Sequence, residues 1–417
     1  MRPLIHLLMI VTLSLMPWLH SQASELEVLH WWTSKGEKRA LDELKKAVYD
    51  SGYEWVDFAV TGGGGGNAFK VLRSRVISGN PPATAQIKGE TVRDWAKLGL
   101  LTDIDGIARA GHWDQVLPKA LQDELKVNNH YYAVPLGVHR INCMWVNPDL
   151  FAQIKQPVPG SLAEFLTVAP KLKQAGIAPL TIGQQDWQYV TLFETVLLDS
   201  TSAAFYRKSL VDFDLQAFNS IEMVRVFEVL ASLRALLPSP IVQQKWDSAT
   251  QQLMSGQAAM QLNGDWVKGE LLAAGKKPGE DILCIPVSGQ QSAFIYTLDS
   301  MVLFNSTDKQ QQKAQLEFTR IAMKPELQAV FNHYKGSLPA RQDIETKTLD
   351  AYAQKNLASF NISLENQTLL PSVAHSMTGS TQVKQSIFRV LKHFFENPEV
   401  TPEEASKQLA MAIRASI

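Results

Sequence analysis

The sequence predicts an α/β protein with mostly parallel sheets covered by helices, and two observations carry that prediction. Strand-like and helix-like segments alternate along most of the chain, and 417 residues suffice for two domains of ordinary size. At 45% hydrophobic and 19% charged the composition is that of a globular protein, and no repeat or low-complexity tract appears apart from one glycine run.

Residues 1–23 stand apart from this pattern. Arg2, the apolar run "LIHLLMIVTLSLMPWL" and the small residues "SQA" ending at Ala23 read as a cleaved secretory leader. Pro17 and His20 interrupt the run before it reaches the ~20 apolar residues that span a bilayer. No cysteine lies near the cleavage site, so anchoring through a lipidated N-terminal cysteine is not expected. The remaining chain is expected free in an exported compartment.

The elements then follow in order. "LEVLHWW" is a strand; Ser34 and Glu37 form a capping box, and Leu41, Leu44 and Val48 recur at helical spacing. "YEWVDFAV" is a second strand, followed by "TGGGGG" and a helix from Asn67 with Phe69, Leu72 and Val76 on one face. "PATAQIKG" is a third strand, followed by the helix "ETVRDWAKLGLL". Next come the strand "YYAVPLGVHRINCMWVN", the helix "SLAEFLTVAPKLKQAG", the strand "IAPLTIG" and several helices to about Lys268. "DILCIPVSG" and "AFIYTLDSMVLF" return to strand before a helical end, which suggests that the chain crosses back to a first lobe.

A formal net charge of −1 offers no basic field for nucleic acid or anionic lipid, so small neutral ligands are the simplest partners. Cys143 and Cys284 are the only cysteines. Export permits a disulfide, but both lie in apolar runs where free cysteine commonly serves as a buried hydrophobe, and the reading favours free thiols.

Trp31 and Trp32 end the first strand just before a capped helix, where open α/β sheets place ligand crevices. Either one indole enters the core and one faces a cleft, or both line the cleft because the strand ends there; the polar Thr33, Ser34 and Lys35 favour the second. The run Gly62–Gly66 precedes a helix, a position suited to anions, but "GNAFK" lacks the Lys-Ser/Thr pair of a phosphate loop. Flexible linkage and close backbone approach to a ligand both remain.

Catalytic signals are absent. No pair of carboxylates is singled out for glycoside hydrolysis, no His or Cys spacing suggests zinc, and no GxSxG elbow occurs, so neither cofactor nor metal is expected. Ten tryptophans include Trp95, Trp187, Trp246 and Trp266, some beside hydrogen-bonding groups as in "QQDWQ" and "NGDW". A flat indole beside Asp, Asn, Lys or His matches a sugar, which has apolar C–H faces and a rim of hydroxyls.

"YYAVPLGVHRINCMWVNPDLF", "KLKQAGIAPLTIG", "MSGQAAMQLNGDW" and "KGSLPAR" occur in the order that resembles extracellular solute-binding proteins of ABC sugar importers. "HWWTSKGE", the glycine run, "SGNPPATAQIKG", "YTLDS" and "PSVAHSM" are further similar to periplasmic glucose-binding proteins of the pseudomonad type. The resemblance implies a two-lobed periplasmic-binding-protein (type II, flytrap) fold with three interlobe crossings, near Val138–Asn142, Cys284–Ser288 and Lys335–Pro339. The N-lobe would comprise 24–137 plus 288–336, and the C-lobe 138–287 plus 337–417. It implies a monomer that binds a monosaccharide, D-glucose foremost, closes by hinge motion and delivers the sugar to an ABC permease. By the same resemblance, Trp31, Trp32, Glu37, Lys88, Trp266, Asp299, Lys335 and His375 form the site. Thr297 replaces an Asn of close relatives and offers one donor rather than two, which bears on the choice of sugar. An exported glycosidase using Asp265 or Asp299, or a binding protein for an oligosaccharide or polyol, are the alternatives.

Overall fold

Thirteen strands fall into two sheets and a short hairpin in a computed structural model that describes residues 24–417 apart from 239–240, 242–243 and 288–291. The leader read over 1–23 lies outside the described residues. No helix among the described residues is long and apolar enough to cross a membrane.

In chain order the strands are β1 (Glu25–His30), β2 (Glu54–Ala59), β3 (Thr84–Gln86), β4 (Lys126–Val127), β5 (His130–Tyr131), β6 (Ala133–Arg140) and β7 (Cys143–Val146). They continue with β8 (Ala178–Leu180), β9 (Ala258–Leu262), β10 (Leu283–Pro286), β11 (Phe294–Leu303), β12 (Leu338–Pro339) and β13 (Leu369–Pro371). The larger sheet runs β12-β6-β11-β3-β1-β2, with β13 beside β11; the smaller runs β10-β7-β9-β8; β4 and β5 pair by themselves. Each sheet has its own buried apolar cluster, one built around Leu26, Val28, Leu136 and Val302, the other around Trp145, Phe193, Phe227 and Met260. These are the two lobes, and helices cover both.

The sheets are mixed rather than mostly parallel. β1 pairs in parallel with β2 and β3 as their helical connections require, but β11 runs antiparallel to both β3 and β6. The reversal follows from β6 and β11 being the strands by which the chain leaves and re-enters the first lobe. Every residue of both is buried, as in strands covered on two faces.

The segment read as one strand, "YYAVPLGVHRINCMWVN", is divided between the lobes. β6 belongs to the larger sheet and β7 to the smaller, with Ile141 and Asn142 as the first passage between them. The second passage lies between β10 and β11. The third is not at Lys335–Pro339, because Leu338 and Pro339 pair with Val138 and Gly137 at the edge of the larger sheet. It falls instead at β13, where Leu369 packs in the first core and Leu370 and Val373 in the second. Ala353 and Phe360 of the helix Ala351–Glu365 pack in the first core as well.

The cysteines are bridged, against the reading of free thiols. β7 and β10 are antiparallel neighbours, and this register brings Cys143 and Cys284 to a Cα separation of 5.8 Å and a disulfide across 141 residues of chain. The apolar runs were read correctly as strands, but their pairing could not be seen from either run alone.

Candidate ligand-binding cleft

Between the lobes lies a small, narrow cavity, about 340 Å³ of empty space with its open mouth included. Trp31, Trp32, Glu37, Lys88, Trp266, Asp299, Lys335 and His375, eight of the nine residues singled out in the sequence, line it together.

Local structure explains each placement. β1 ends at His30, so both tryptophans follow the last paired residue and both reach the cavity. Trp32 is the deeper of the two, packing on Phe331 at 5.6 Å between ring centres. The capping box of the helix Lys35–Asp50 forms as expected: Ser34 Oγ accepts from the amide of Glu37, and Glu37 Oε2 accepts from the amides of Thr33 and Ser34 at 2.9 and 3.1 Å. The other oxygen of Glu37 is 3.6 Å from Lys335 Nζ, so one side chain both caps the helix and enters the site. Lys335 ends the helix Pro325–Lys335, which stops at Gly336 in the left-handed conformation (φ +88°); a Cβ there would stand 2.3 Å from the carbonyl oxygen of Asp265. Only glycine lets the helix end against the second lobe at this distance.

Asp299 is the electrostatic centre. Its oxygens lie 2.6 Å from Lys88 Nζ, 3.9 Å from Lys335 Nζ and 3.2 Å from His139 Nε2, and accept from Gln86 Nε2 at 3.3 Å. Burial opposes its charge, yet Lys88, His139 and Lys335 together outweigh burial and hold the carboxyl well below the usual carboxylate range. His375 is driven the other way: burial first, then the positive charge of Lys88, keep its imidazole neutral. An ionised acceptor, two ammonium donors and a neutral imidazole therefore face one small space.

Thr297 does not line the cavity. It is fully buried on β11 opposite His139, and its hydroxyl oxygen accepts from Lys88 Nζ at 3.4 Å. Thr297 and Asp299, two residues apart, share a side of β11. Thr297 steadies Lys88 and does not face the cavity. Asp265, the other carboxylate considered for catalysis, is not among the lining residues either: it bonds the ring of His139, the amide of Arg140 at 2.9 Å and Asn356 Nδ2 at 3.2 Å.

The structure adds His139, Trp187, Trp246, Gly63 and Gly64 to the lining. Trp187, Trp246 and Trp266 meet edge to face, with Trp266 5.7 Å from Trp187 and 6.4 Å from Trp246, and His375 lies 5.0 Å from Trp266. The buried indole N–H groups of Trp187 and Trp266 have no partner among the described residues. The sequence signalled Trp187 and Trp246 only as aromatics among polar neighbours, and His139 gave no signal because β6 reads as a plain buried strand. The glycine run takes positive φ from Gly62 to Gly65 and lays its backbone on the rings of the opposite lobe. A Cβ on Gly64 would stand 2.7 Å from Trp187 Cδ1. Gln185 Nε2 donates to the carbonyl of Gly62 from the second lobe, which closes that side of the cleft.

Two lobes joined by three passages around a polar, aromatic-walled cleft define a ligand-binding protein of the flytrap class. Residues 40–358 match the family of bacterial extracellular solute-binding proteins, and the chain belongs to it. A "probable sugar-binding periplasmic protein" of Brucella suis is 38% identical over 396 residues, 95% of this chain and 93% of its own. Among solved structures, the solute receptor AcbH, described as preferring β-D-galactopyranose exclusively, aligns with a TM-score of 0.76 at 18% identity, over 94% of this chain and 98% of its own. A chitin oligosaccharide binding protein aligns with a TM-score of 0.79 at 15% identity, over 94% and 99%.

Proposed function

We propose that this chain is the sugar-binding component of an ABC importer, capturing a monosaccharide, D-glucose foremost, between its lobes in the periplasm and presenting it to the membrane permease. One observation carries the reading: a small cavity walled by five indoles has the ionised Asp299 and two lysines at its centre. Indole faces suit the C–H surfaces of a pyranose, while Asp299 accepts from hydroxyls and Lys88, Lys335 and the free indole N–H groups donate to them. Stacking contributes roughly 0.5–1.5 kcal/mol beyond burial and each hydrogen bond to a charged group roughly 1.5–3 kcal/mol. Less the cost of association, a few of these give about micromolar affinity, near −8 kcal/mol.

The names of the relatives support a sugar. Asp299 is held ionised beside Lys88, so it is not the protonated acid that glycoside hydrolysis needs. The test is a calorimetric titration of the mature protein with D-glucose, then mannose, galactose, xylose and maltose. Saturable one-to-one binding of glucose with no product released is the expected result; heat from maltose alone would replace the monosaccharide with a longer ligand.

A further inference from the structure

A second space adjoins the cavity at its mouth, a groove of about 1,660 Å³ counting open solvent, walled by both lobes. Trp31, Gly63, Gly64, Lys88, Trp187 and His375 line both spaces. The groove departs from the neutral balance of the chain. Lys70, Lys384, Arg389 and Lys392 face it, and Asp186 is the single carboxylate among its lining residues. Asp186 is taken by Lys392 at 3.1 Å.

Lys384 is the unusual member. It is half-buried, its ammonium donates to the hydroxyl of Ser376, and no described carboxylate lies beside it, so the partial burial pushes its pKa down to about 8. Lone cations are seldom enclosed without a counter-charge. Arg389 donates to the hydroxyl of Ser386 at 2.9 Å and has no acidic partner among the described residues. The helix Gly66–Ile77 starts in the same wall with no side chain capping its first amides. An excess of cations over carboxylates and a helix start without a side-chain cap share one space, the arrangement that receives anions.

We infer that the cleft takes a monosaccharide bearing an anionic substituent, its ring in the inner cavity and its charged group in the groove beside Lys384. This rests on the sugar-binding reading and narrows its substrate class: the aromatic cavity recognises the ring, and the groove selects for a phosphate or carboxylate attached to it. Such a ligand supplies the counter-charge that the chain does not.

The experiment compares D-glucose, glucose 6-phosphate and glucuronate by calorimetry at low salt and at about 1 M salt, where the screening length is ~3 Å. At least one anionic sugar is expected to bind about tenfold or more tighter than glucose at low salt, equivalent to about 1.4 kcal/mol. High salt should erode that ratio, and Lys384→Gln should bring it close to one relative to glucose on the same variant. Arg389→Gln, at an exposed position, should lower the ratio without endangering the fold. Glucose binding with no preference for either anionic sugar overturns the inference and leaves the sugar reading intact, as does a preference that survives both substitutions. Failure of all three sugars to bind overturns the inference together with glucose as the ring that the cavity takes.

Discussion

Lys88 Nζ stands 2.6 Å from Asp299 Oδ1 with both side chains almost wholly out of water, and the same ammonium lies 5.4 Å from the ring of Trp31. The pair joins the charged and aromatic halves of the cleft. Asp299→Ala would leave Lys88 buried without its carboxylate and Lys335 with Glu37 alone. Breaking a buried pair on one side typically costs about 3–5 kcal/mol. Denaturant unfolding should therefore show a lower midpoint, and calorimetry should show ligand affinity reduced at least about tenfold. Unchanged affinity in a folded variant would remove Asp299 from the site.

Trp32 carries a double burden. It lines the cavity and packs on Phe331. Trp32→Ala should lose about 3–5 kcal/mol of stability and at least about tenfold in affinity, whereas Trp32→Phe should restore most of the stability. Comparing the two by thermal melts and titration separates packing from recognition.

Gly64→Ala should act mainly on retention of the ligand. Its φ of +55° and the 2.7 Å approach of its would-be Cβ to Trp187 both oppose a side chain. A left-handed residue costs roughly 1–2 kcal/mol, and the loop would have to lift from Trp187. Stopped-flow measurement should find faster dissociation with a smaller change in association.

His375 and His30 are buried with pKa values lowered from 6.5, in both cases by burial first. The unfolded chain takes up protons at both sites below about pH 6.5 while the native state does not, so stability must fall as pH drops through that range. His375→Gln should flatten the dependence between about pH 7 and pH 5 in urea titrations. Asp299 contributes in the other region: its stabilisation is present above the unfolded carboxyl pKa of 3.8 and is lost as pH falls through its lower native value.

Reduction of the Cys143–Cys284 bridge frees a loop of 141 residues. Loop closure on that scale is worth about 2–5 kcal/mol. A melt with and without reductant should show a lower Tm, with ligand affinity unchanged because neither cysteine lines the cavity.

The alternation of strand and helix was legible because periodicity and caps are local: Ser34, Glu37, Leu41 and Leu44 announce their helix within ten residues. Local patterns do not state partners. β6 and β7 read as one strand because only Ile141 and Asn142 stand between them, and only the sheets show that the chain changes lobe there. The disulfide was hidden for the same reason. The site was legible where residue chemistry is unusual for its setting, as with paired tryptophans ending a strand. His139 was missed because nothing in "PLGVHRI" marks that histidine as standing between Asp265 and Asp299.

The three passages between the lobes are hydrogen-bonded neighbours: Tyr296 on β11 sits in register with Arg140 at the end of β6 and with Pro371 at the end of β13. The joint is thus a single woven strap and not three separate threads. Twisting one strand drags the other two, so any swing of one lobe on the other is confined to bending across the strap, like a door whose knuckles share one pin. Sliding or unscrewing the lobes would tear backbone bonds; opening along the mouth of the cleft would not.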